Sequence, residues 1–489
     1  MTKKPNILFI TTDQQRADCL SIARSEHPVM TPHLDQLADE GVRFTRAYSD
    51  CPLCIPSRTT IMTGRTAYAH GVDTNGEFPI PEEKENTLPG RLTSAGYQTH
   101  AAGKMHFYPP RNRNGFERMR LLPEDYVNML EGAGYGGMYR GHGLGGNEVH
   151  PTFSAVPTEY TSTHWTVSES IDFLRQRDEG NPFFMWTSFE APHPPFDPPE
   201  RFVRLYDGVD IPDPIAGDWT GAEAPEWVRH RRLSRKLDRL SEDVVRAARK
   251  HYYAMITHID YELGRLFGEL KGQGLWDNTI IIFTSDHGEM LGDHGLFHKS
   301  CFYEQSARVP LILKPASSTP LPLGAGSVCD KPVLLADLYP TLTELAGCSK
   351  PGDRDEREGR SLIASMNGDE LVADRVLAGY IQDEGGLYMV TDGKWKYVYY
   401  AQDQREQLFH VEEDAGELKD LWPAAAAAKD ERLVSYRRIL ADTFASHGIT
   451  MENGELKADQ AARKEWTEER IRQNNPFAWR GPIRYGGHW

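Results

Sequence analysis

The first three-quarters of the chain alternates short apolar runs with segments of helical periodicity. Apolar runs of strand length lie at residues 6–12, 98–102, 183–189, 279–285 and 309–314. Between them, apolar residues recur every three or four positions, which predicts helices at residues 31–40, 57–63, 88–95, 165–177, 242–270 and 333–346. Strands that alternate with helices are typical of an α/β fold. We therefore predict a large, mostly parallel sheet flanked by helices.

The pattern changes near residue 374. Short strands at 376–380, 387–391 and 395–400 are separated by turn residues, which predicts a smaller antiparallel sheet, and an Ala-rich helix follows at 424–444. Residues 474–489 are rich in Trp, Arg, Gly and Pro, and so aromatic a tail should pack on its own chain or on a second subunit of a homo-oligomer. We predict an α/β domain at 1–373 and a small domain with an extended tail at 374–489.

Composition narrows the classes of partner. Lys and Arg total 55 against 71 Asp and Glu, for a net charge of -16, which argues against nucleic acid as a partner. No apolar run approaches the length that crosses a bilayer, and no apolar leader precedes the first predicted strand, so we expect a cytoplasmic protein without membrane contact. The six Cys are too scattered for a disulfide framework.

Polar side chains follow several of the predicted strands at the point where each strand ends. The strand at 6–12 is followed by Asp13, the strand at 279–285 by Asp286, the strand at 183–189 by His193, and the strand at 98–102 by Lys104. Any one of these residues has a simpler explanation, such as a helix cap for Asp13. Ligands of open parallel sheets bind beyond the carboxyl ends of the strands, so the shared placement predicts a metal or anion site.

A second candidate lies at a predicted helix start. Pro56 suits the first turn of a helix and Gly64 its end, which places Cys54 at a helix N-terminus, where free N–H groups favour an anion. Arg58 follows one turn along. Cys51 and Cys54 also form C-x-x-C, but no second ligand pair with zinc-site spacing is evident, and a redox pair remains the weaker alternative.

The segment 107–164 has little periodicity and many Gly. Residues 132–137 fit G-x-G-x-x-G, yet no strand is predicted before them and no helix after them, so we reject a dinucleotide site. A flexible loop over a substrate pocket is the better interpretation.

Taken together, these motifs resemble those of a known family. Cys54-Ile55-Pro56-Ser57-Arg58, with Thr63-Gly64-Arg65, resembles the signature of sulfatases of the alkaline-phosphatase superfamily, and the resemblance covers most of the chain. It implies that a formylglycine-generating enzyme oxidises Cys54 to formylglycine. One hydroxyl of the hydrated aldehyde would attack the sulfur of a small-molecule or saccharide sulfate ester and displace the alcohol. The second hydroxyl would then lose its proton, the C–O bond to sulfate would break, and sulfate would leave as the aldehyde returns.

The resemblance also implies one divalent metal. Its ligands would be Asp13, Asp286, His287 and the hydrated side chain at Cys54, with Gln14 where many relatives have a second Asp. Oxygen-rich ligation favours Ca²⁺, while His287 keeps Mg²⁺ and Mn²⁺ open.

The remaining catalytic roles carry over from the same resemblance. Arg58 and Lys104 would bind the sulfate, and His106 would be the base for the second hydroxyl. His193 and Lys299 would donate a proton to the leaving oxygen or balance its charge. Three further histidines near the matched segments are interpreted as structural or peripheral: His70, His294 and His298.

Two questions stay open from the sequence. Asp13-Gln14-Gln15-Arg16 also resembles the first motif of phosphonate monoester and phosphodiester hydrolases with the same nucleophile, although the intact Pro-Ser-Arg favours sulfate. The choice of alcohol should lie in the weakly matched segments 107–164 and 474–489. The side chains proposed for it are Arg111, Arg113, Tyr135, Tyr139, Trp479, Arg480, Arg484 and Tyr485.

Overall fold

The structure is a computed structural model that describes residues 4–143, 145–348, 357–368, 375–382 and 385–458. Its first and larger sheet is built from nine strands. These are β1 (Asn6–Asp13), β2 (Val42–Tyr48), β3 (Gln98–Lys104), β4 (Arg118–Leu122), β5 (Phe183–Pro192), β6 (Thr279–Ser285), β7 (Arg308–Lys314), β8 (Ser327–Cys329) and β9 (Val333–Leu334).

The strands of this sheet are ordered β4-β3-β5-β1-β6-β7-β2-β8, and β9 also pairs with β2. From β4 to β6 all neighbours are parallel, whereas β7 is antiparallel to both β6 and β2. Every residue of β1 is buried, as expected for a central parallel strand covered on both faces. The predicted α/β class is confirmed, with the refinement that the sheet is mixed at one side.

Helices cover both faces of the large sheet. They are α1 (Pro32–Asp39), α2 (Cys54–Thr63), α3 (Ala67–His70), α4 (Leu88–Ser94), α5 (Glu124–Gly132), α6 (Ser162–Gln176), α7 (Glu200–Arg204), α8 (Glu226–Ser234), α9 (Glu242–Gly272), α10 (Glu304–Ala307), α11 (Leu338–Leu345) and α12 (Leu362–Met366).

The two faces form separate cores because side chains alternate along each strand. Leu8 and Ile10 of β1 belong to the core that contains α1, α6 and α9. Ile7 and Phe9 belong to the other core, which contains α2, α4, α11 and α12. Among the described residues, no helix is both long enough and apolar enough to cross a membrane.

A second sheet is an antiparallel meander near the end of the described chain. Its strands are β10 (Leu377–Ile381), β11 (Leu387–Thr391), β12 (Lys396–Tyr400) and β13 (Arg405–Phe409). It is followed by α13 (Trp422–Ala427), α14 (Glu431–Thr443) and a hairpin of β14 (Ile449–Glu452) and β15 (Glu455–Ala458). The antiparallel sheet was predicted, but its fourth strand and the hairpin were not.

Three sequence predictions need correction. The single helix expected at 424–444 is two helices, because Lys429 between them has a left-handed φ of 54°. Residues 333–346 begin as β9 and become α-helical only at Leu338. The segment 107–164 is not one irregular loop, since it contains β4 and α5. The tail at 474–489 and the predicted domain boundary at 373–374 fall outside, or at the edge of, the described residues, so both stay predictions.

Candidate active site

The candidate site lies where four neighbouring parallel strands end. In the order β3-β5-β1-β6, these strands lead into Lys104, His193, Asp13 and Asp286, all of them buried. The pairing of β1 with β5 shifts register between Thr11 and Asp13, which marks an irregularity at the end of the strand. The predicted convergence of polar side chains at this sheet edge is therefore present in the structure.

Helix α2 brings Cys54 to the same edge. Leu53 is extended, with φ -140° and ψ 144°, and the helix begins directly after it at Cys54. The Cys54 Sγ lies 3.3 Å from His287 Nε2 and 3.8 Å from Asp13 Oδ1. Ligand atoms of Asp13, Cys54, Asp286 and His287 all lie within 4.8 Å of one another, and all four residues are buried.

The chemistry of this group of side chains fits a divalent cation. His287 Nδ1 contacts Gly288 O at 3.0 Å, which leaves Nε2 directed at the two carboxylates. Burial lowers the pKa of His287, so the imidazole is neutral and can donate a lone pair. Burial alone would raise the pKa of Asp13, but Lys104, His193 and Arg58 outweigh it and hold that pKa well below its usual value. Asp13 is therefore ionised, as a metal ligand must be.

Arg58 and Lys104 place two positive charges beside these carboxylates. Arg58 Nε donates to Asp286 Oδ2 at 2.9 Å, and Lys104 Nζ lies 2.6 Å from Asp13 Oδ2. Although burial opposes it, the neighbouring carboxylates raise the pKa of both side chains. Both residues are thus buried cations, and a buried cation can bind an anion strongly.

His193 and Lys299 form a pair on another side of the site. His193 Nδ1 is 2.8 Å from Pro194 O, which makes it the donor, and His193 Nε2 then accepts from Lys299 Nζ at 2.9 Å. Burial and the charges of Lys299 and Lys104 hold the pKa of His193 well below its usual value. The side-chain amide of Gln14 also contacts this pair, because its Oε1 accepts from Lys299 Nζ. Its role as a metal ligand stays a prediction.

His106 lies two residues after Lys104, the last residue of β3. Its backbone is left-handed, with φ 58°, and its buried Nδ1 has no hydrogen-bond partner among the described residues. Burial lowers the pKa of His106, while a hydrogen bond with the Cys54 side chain acts in the opposite direction. The imidazole is therefore neutral beside position 54, as a proton acceptor has to be.

Two buried residues of the site were missed by sequence reasoning. Ser188 Oγ accepts from Arg58 Nη1 at 2.9 Å and donates to Lys104 O at 2.6 Å, so it joins α2 to β3. Glu289 accepts from the amide of Gln14 and from the backbone N–H of His298. A lone Ser in a strand carries no signal, whereas Glu289 comes directly after the recognisable Asp-His-Gly and could have been included.

A polar cleft extends from His193 beneath the segment 107–164, and its walls include Tyr139, Arg140, Glu190 and Asp197. Tyr139 Oη and Arg140 Nη2 both donate to Glu190 Oε1 at 2.7 Å. Of the side chains proposed to select the alcohol that the structure describes, Tyr139 alone lines this cleft.

The side chains of Arg111 and Tyr135 face elsewhere. The Arg111 side chain is 58% exposed and pairs with Asp125, and Tyr135 packs on Tyr160. The histidines interpreted as structural are buried: Thr60 contacts His70 Nε2, and the backbone N–H of Gly217 donates to His294 Nδ1. His298 is also buried and adjoins Lys299 in the chain.

Comparison with known proteins supports the resemblance. The family model described as Sulfatase matches residues 5–348, and that described as N-sulphoglucosamine sulphohydrolase, C-terminal, matches residues 292–435. An arylsulfatase of Clostridium perfringens is 36% identical over 89% of this chain and 94% of its own length. A choline-sulfatase of Rhizobium meliloti is 30% identical over 98% of this chain and 93% of its own.

The fold is shared with a solved structure. The phosphonate monoester hydrolase of Agrobacterium radiobacter superposes with a TM-score of 0.76 at 26% identity, covering 94% of this chain and 100% of that one. The family match spans more than half of the chain, and the relatives match along nearly their whole lengths. The chain therefore belongs to the sulfatase family and is a sulfuric ester hydrolase.

Proposed function

We propose that this enzyme hydrolyses sulfate esters with a formylglycine at position 54 beside one divalent metal. The observation that carries the proposal is the convergence of Asp13, Cys54, Asp286 and His287 within 4.8 Å. The Cys54 thiol stands where the hydrated aldehyde would be, and that hydrate would supply the attacking oxygen. A formylglycine-generating enzyme is then a required partner during maturation.

The metal would be held by Asp13, Asp286 and His287 together with the side chain at position 54, and Gln14 is a further candidate ligand. When bound, a divalent cation neutralises sulfate oxygens and lowers the pKa of a hydroxyl beside it. Ca²⁺ is the preferred choice because most of these donor atoms are oxygens, and Mg²⁺ and Mn²⁺ are the alternatives.

The side chains around the metal site have separate roles in the reaction. Arg58 and Lys104, both buried cations, bind and orient the sulfate group. His106, whose lowered pKa keeps it neutral beside position 54, accepts the proton of the second hydroxyl. His193 and Lys299, which contact each other at 2.9 Å, stabilise or protonate the leaving oxygen.

A phosphonate monoester hydrolase is the second candidate. It is favoured by the likeness to the Agrobacterium radiobacter enzyme and by the resemblance of Asp13-Gln14-Gln15-Arg16 to the first motif of that subgroup. Both reactions would use the same nucleophile and cations. The metal-binding and anion-binding side chains therefore fit either substrate, and only relative rates distinguish the two.

The deciding experiment uses protein made together with a formylglycine-generating enzyme. Initial rates are measured with 4-nitrophenyl sulfate and with the 4-nitrophenyl monoester of phenylphosphonate. The proposal predicts a higher kcat/KM for the sulfate ester. A higher kcat/KM for the phosphonate would replace the proposal with the second candidate.

A further inference from the structure

The backbone on both sides of Lys299 adopts an unfavourable conformation. His298 has φ 72° and Ser300 has φ 77°, both in the left-handed region that side chains other than glycine rarely adopt. Such a conformation persists only where the surroundings hold it in place. The contacts that hold this segment therefore also determine where the Lys299 ammonium lies.

Contacts on the N-terminal side come from the large sheet and its loops. The backbone N–H of His298 donates to Glu289 Oε1 at 2.5 Å, and that of Ser300 donates to Pro52 O at 3.2 Å, two residues before Cys54. These bonds fix the direction of the chain up to Ser300, and Tyr303, three residues further on, contacts Tyr400 and Gln407 of the antiparallel sheet.

On the C-terminal side the segment is held by Lys396, which belongs to β12 of the antiparallel sheet. Lys396 is fully buried, and its Nζ donates to Phe302 O at 2.8 Å. The same ammonium lies 2.5 Å from Glu304 Oε1 and 3.1 Å from Glu417 Oε1. The ammonium therefore has three close oxygen partners, and two of them belong to the segment that carries Lys299.

Neighbouring contacts strengthen this attachment. The backbone N–H of Glu304 donates to Glu417 Oε2 at 2.6 Å, and Tyr303 Oη donates to Gln407 Oε1 at 2.8 Å. Arg308 lies 2.8 Å from Glu304, so this carboxylate is paired with two cations. A buried cluster of paired and hydrogen-bonded side chains has few alternative arrangements, because moving one member would leave another charge unpaired.

We infer that Lys396, acting through Glu304, Glu417 and Phe302, is a positioning residue that keeps Lys299 beside His193 on the leaving-group side of the site. The antiparallel sheet is then part of the catalytic apparatus. This inference rests on the proposed role of Lys299 in the departure of the alcohol.

The inference predicts a selective defect. Arg58 and Lys104 lie on α2 and β3 and make no contact with Lys396, so sulfate binding does not depend on the cluster. Loss of Lys396 should displace Lys299 and slow the hydrolysis of esters of strongly basic alcohols. The oxygen of such an alcohol needs a proton or a nearby positive charge in order to leave. Esters of weakly basic alcohols leave unaided and should be affected less.

The test compares phenyl sulfate, whose leaving group is the more basic, with 4-nitrophenyl sulfate. In Lys396→Met, kcat for phenyl sulfate should fall about tenfold more than kcat for 4-nitrophenyl sulfate, since a well-placed proton donor contributes at least that much. Lys299→Met should show the same selectivity. Glu417→Gln keeps the size of the side chain and removes one charge, so it provides the same comparison if Lys396→Met does not fold.

The matched control is Arg437→Met. Arg437 of α14 pairs with Glu406 of β13 at 2.8 Å and donates to Gly454 O, and neither partner belongs to the segment of Lys299. It should slow both esters by one common factor. The inference is overturned if Lys396→Met and Glu417→Gln also lower kcat for the two esters by equal factors while Lys299→Met lowers kcat mainly for phenyl sulfate. Absence of turnover of either ester by the unsubstituted, modified enzyme would instead refute the proposed function itself.

Discussion

At the scale of single residues, Arg58 connects most parts of the site. Its guanidinium donates to Asp286, to Ser188 and to the backbone oxygen of Lys104, which lie on three different strands or strand ends. Lysine carries the same charge but cannot reach three acceptors in one plane. The geometry therefore requires the fork of arginine and not only its charge.

Arg58→Lys should lower kcat/KM for 4-nitrophenyl sulfate by roughly a hundredfold, because charge-assisted hydrogen bonds within a buried site are lost. Steady-state kinetics on fully modified protein measures this. Arg175→Lys, at a surface pair with Glu269, is the control and should change nothing. A loss of less than about threefold in Arg58→Lys would mean that charge alone is sufficient.

A site residue could be predicted from the sequence only where its neighbours in the chain form a recognisable pattern. Cys54 and Arg58 stand in a compact signature, and Asp13 and Asp286 end unmistakable buried strands, so their positions could be predicted. Ser188 lies inside β5 with no special neighbour, and nothing marked it. The side-chain amide of Gln14 forms hydrogen bonds with Lys299 and Glu289. These contacts join segments that are distant in the chain, so no local sequence pattern predicts them.

At the scale of secondary-structure elements, strand β3 carries a buried histidine in its core. His100 stacks on Phe173, with ring centroids 4.5 Å apart, and neither ring nitrogen has a hydrogen-bond partner among the described residues. Burial lowers its pKa from 6.5 to about 3. The unfolded chain therefore takes up a proton below pH 6.5 while the folded chain does not. The contribution of neutral His100 to the free energy of unfolding is therefore complete above pH 6.5. It is lost progressively as the pH falls from 6.5 towards 3.

When the pH falls from 7 to 5, protonation of His100 in the unfolded chain should lower the free energy of unfolding by about 2 kcal/mol. The side chain of His100→Gln cannot take up a proton. The free energy of unfolding of this variant should therefore fall by about 2 kcal/mol less than that of the unsubstituted protein over the same pH interval. Denaturant unfolding at the two pH values measures the difference. Equal losses in both proteins would show that His100 is not the group responsible.

The cleft beneath the segment 107–164 gives a prediction about selectivity. Tyr139→Phe removes a hydrogen bond to Glu190 beside His193, so relative kcat/KM values across a panel of sugar and aryl sulfates should shift by about threefold to tenfold. Tyr135→Phe and Arg111→Ala alter side chains that face elsewhere and should leave the ratios unchanged. Unchanged ratios in Tyr139→Phe as well would place the selection of the alcohol outside this cleft.

The elements that the sequence predicted well were those with an uninterrupted period. Strands β1, β5 and β6 are continuous apolar runs, and α9 keeps its helical spacing for 31 residues. Strand β4 was missed because its side chains alternate too weakly, with three of its five residues not buried. The break between α13 and α14 depends on one left-handed residue, Lys429, whose type gives no warning.

At the scale of the whole molecule, the metal would link the ends of β1 and β6 to α2. Asp13 and Asp286 are buried carboxylates that pair with Arg58 and Lys104, and a bound cation would hold the two strand ends together through the same carboxylates. A ligand that binds only the folded state stabilises it, by about 2.7 kcal/mol at a hundredfold excess over Kd. Activity and stability should therefore depend on the metal together.

Treatment with a chelator should abolish activity and lower the unfolding midpoint, and adding back the divalent ion should restore both. Asp286→Ala should have lost the metal already, whereas Asp277→Ala, at the exposed opposite end of β6, should keep metal and activity. Elemental analysis gives the stoichiometry. Two tightly bound ions per chain, or full activity after chelation, would contradict a single metal centre.

The most direct test of the account concerns the state of Cys54. Protein made with and without a formylglycine-generating enzyme is digested, the peptide that contains position 54 is analysed by mass spectrometry, and turnover of a sulfate ester is measured on the same samples. The account predicts that activity rises in proportion to the fraction of chains with an aldehyde at position 54. Full activity in protein that carries only the intact thiol would contradict it.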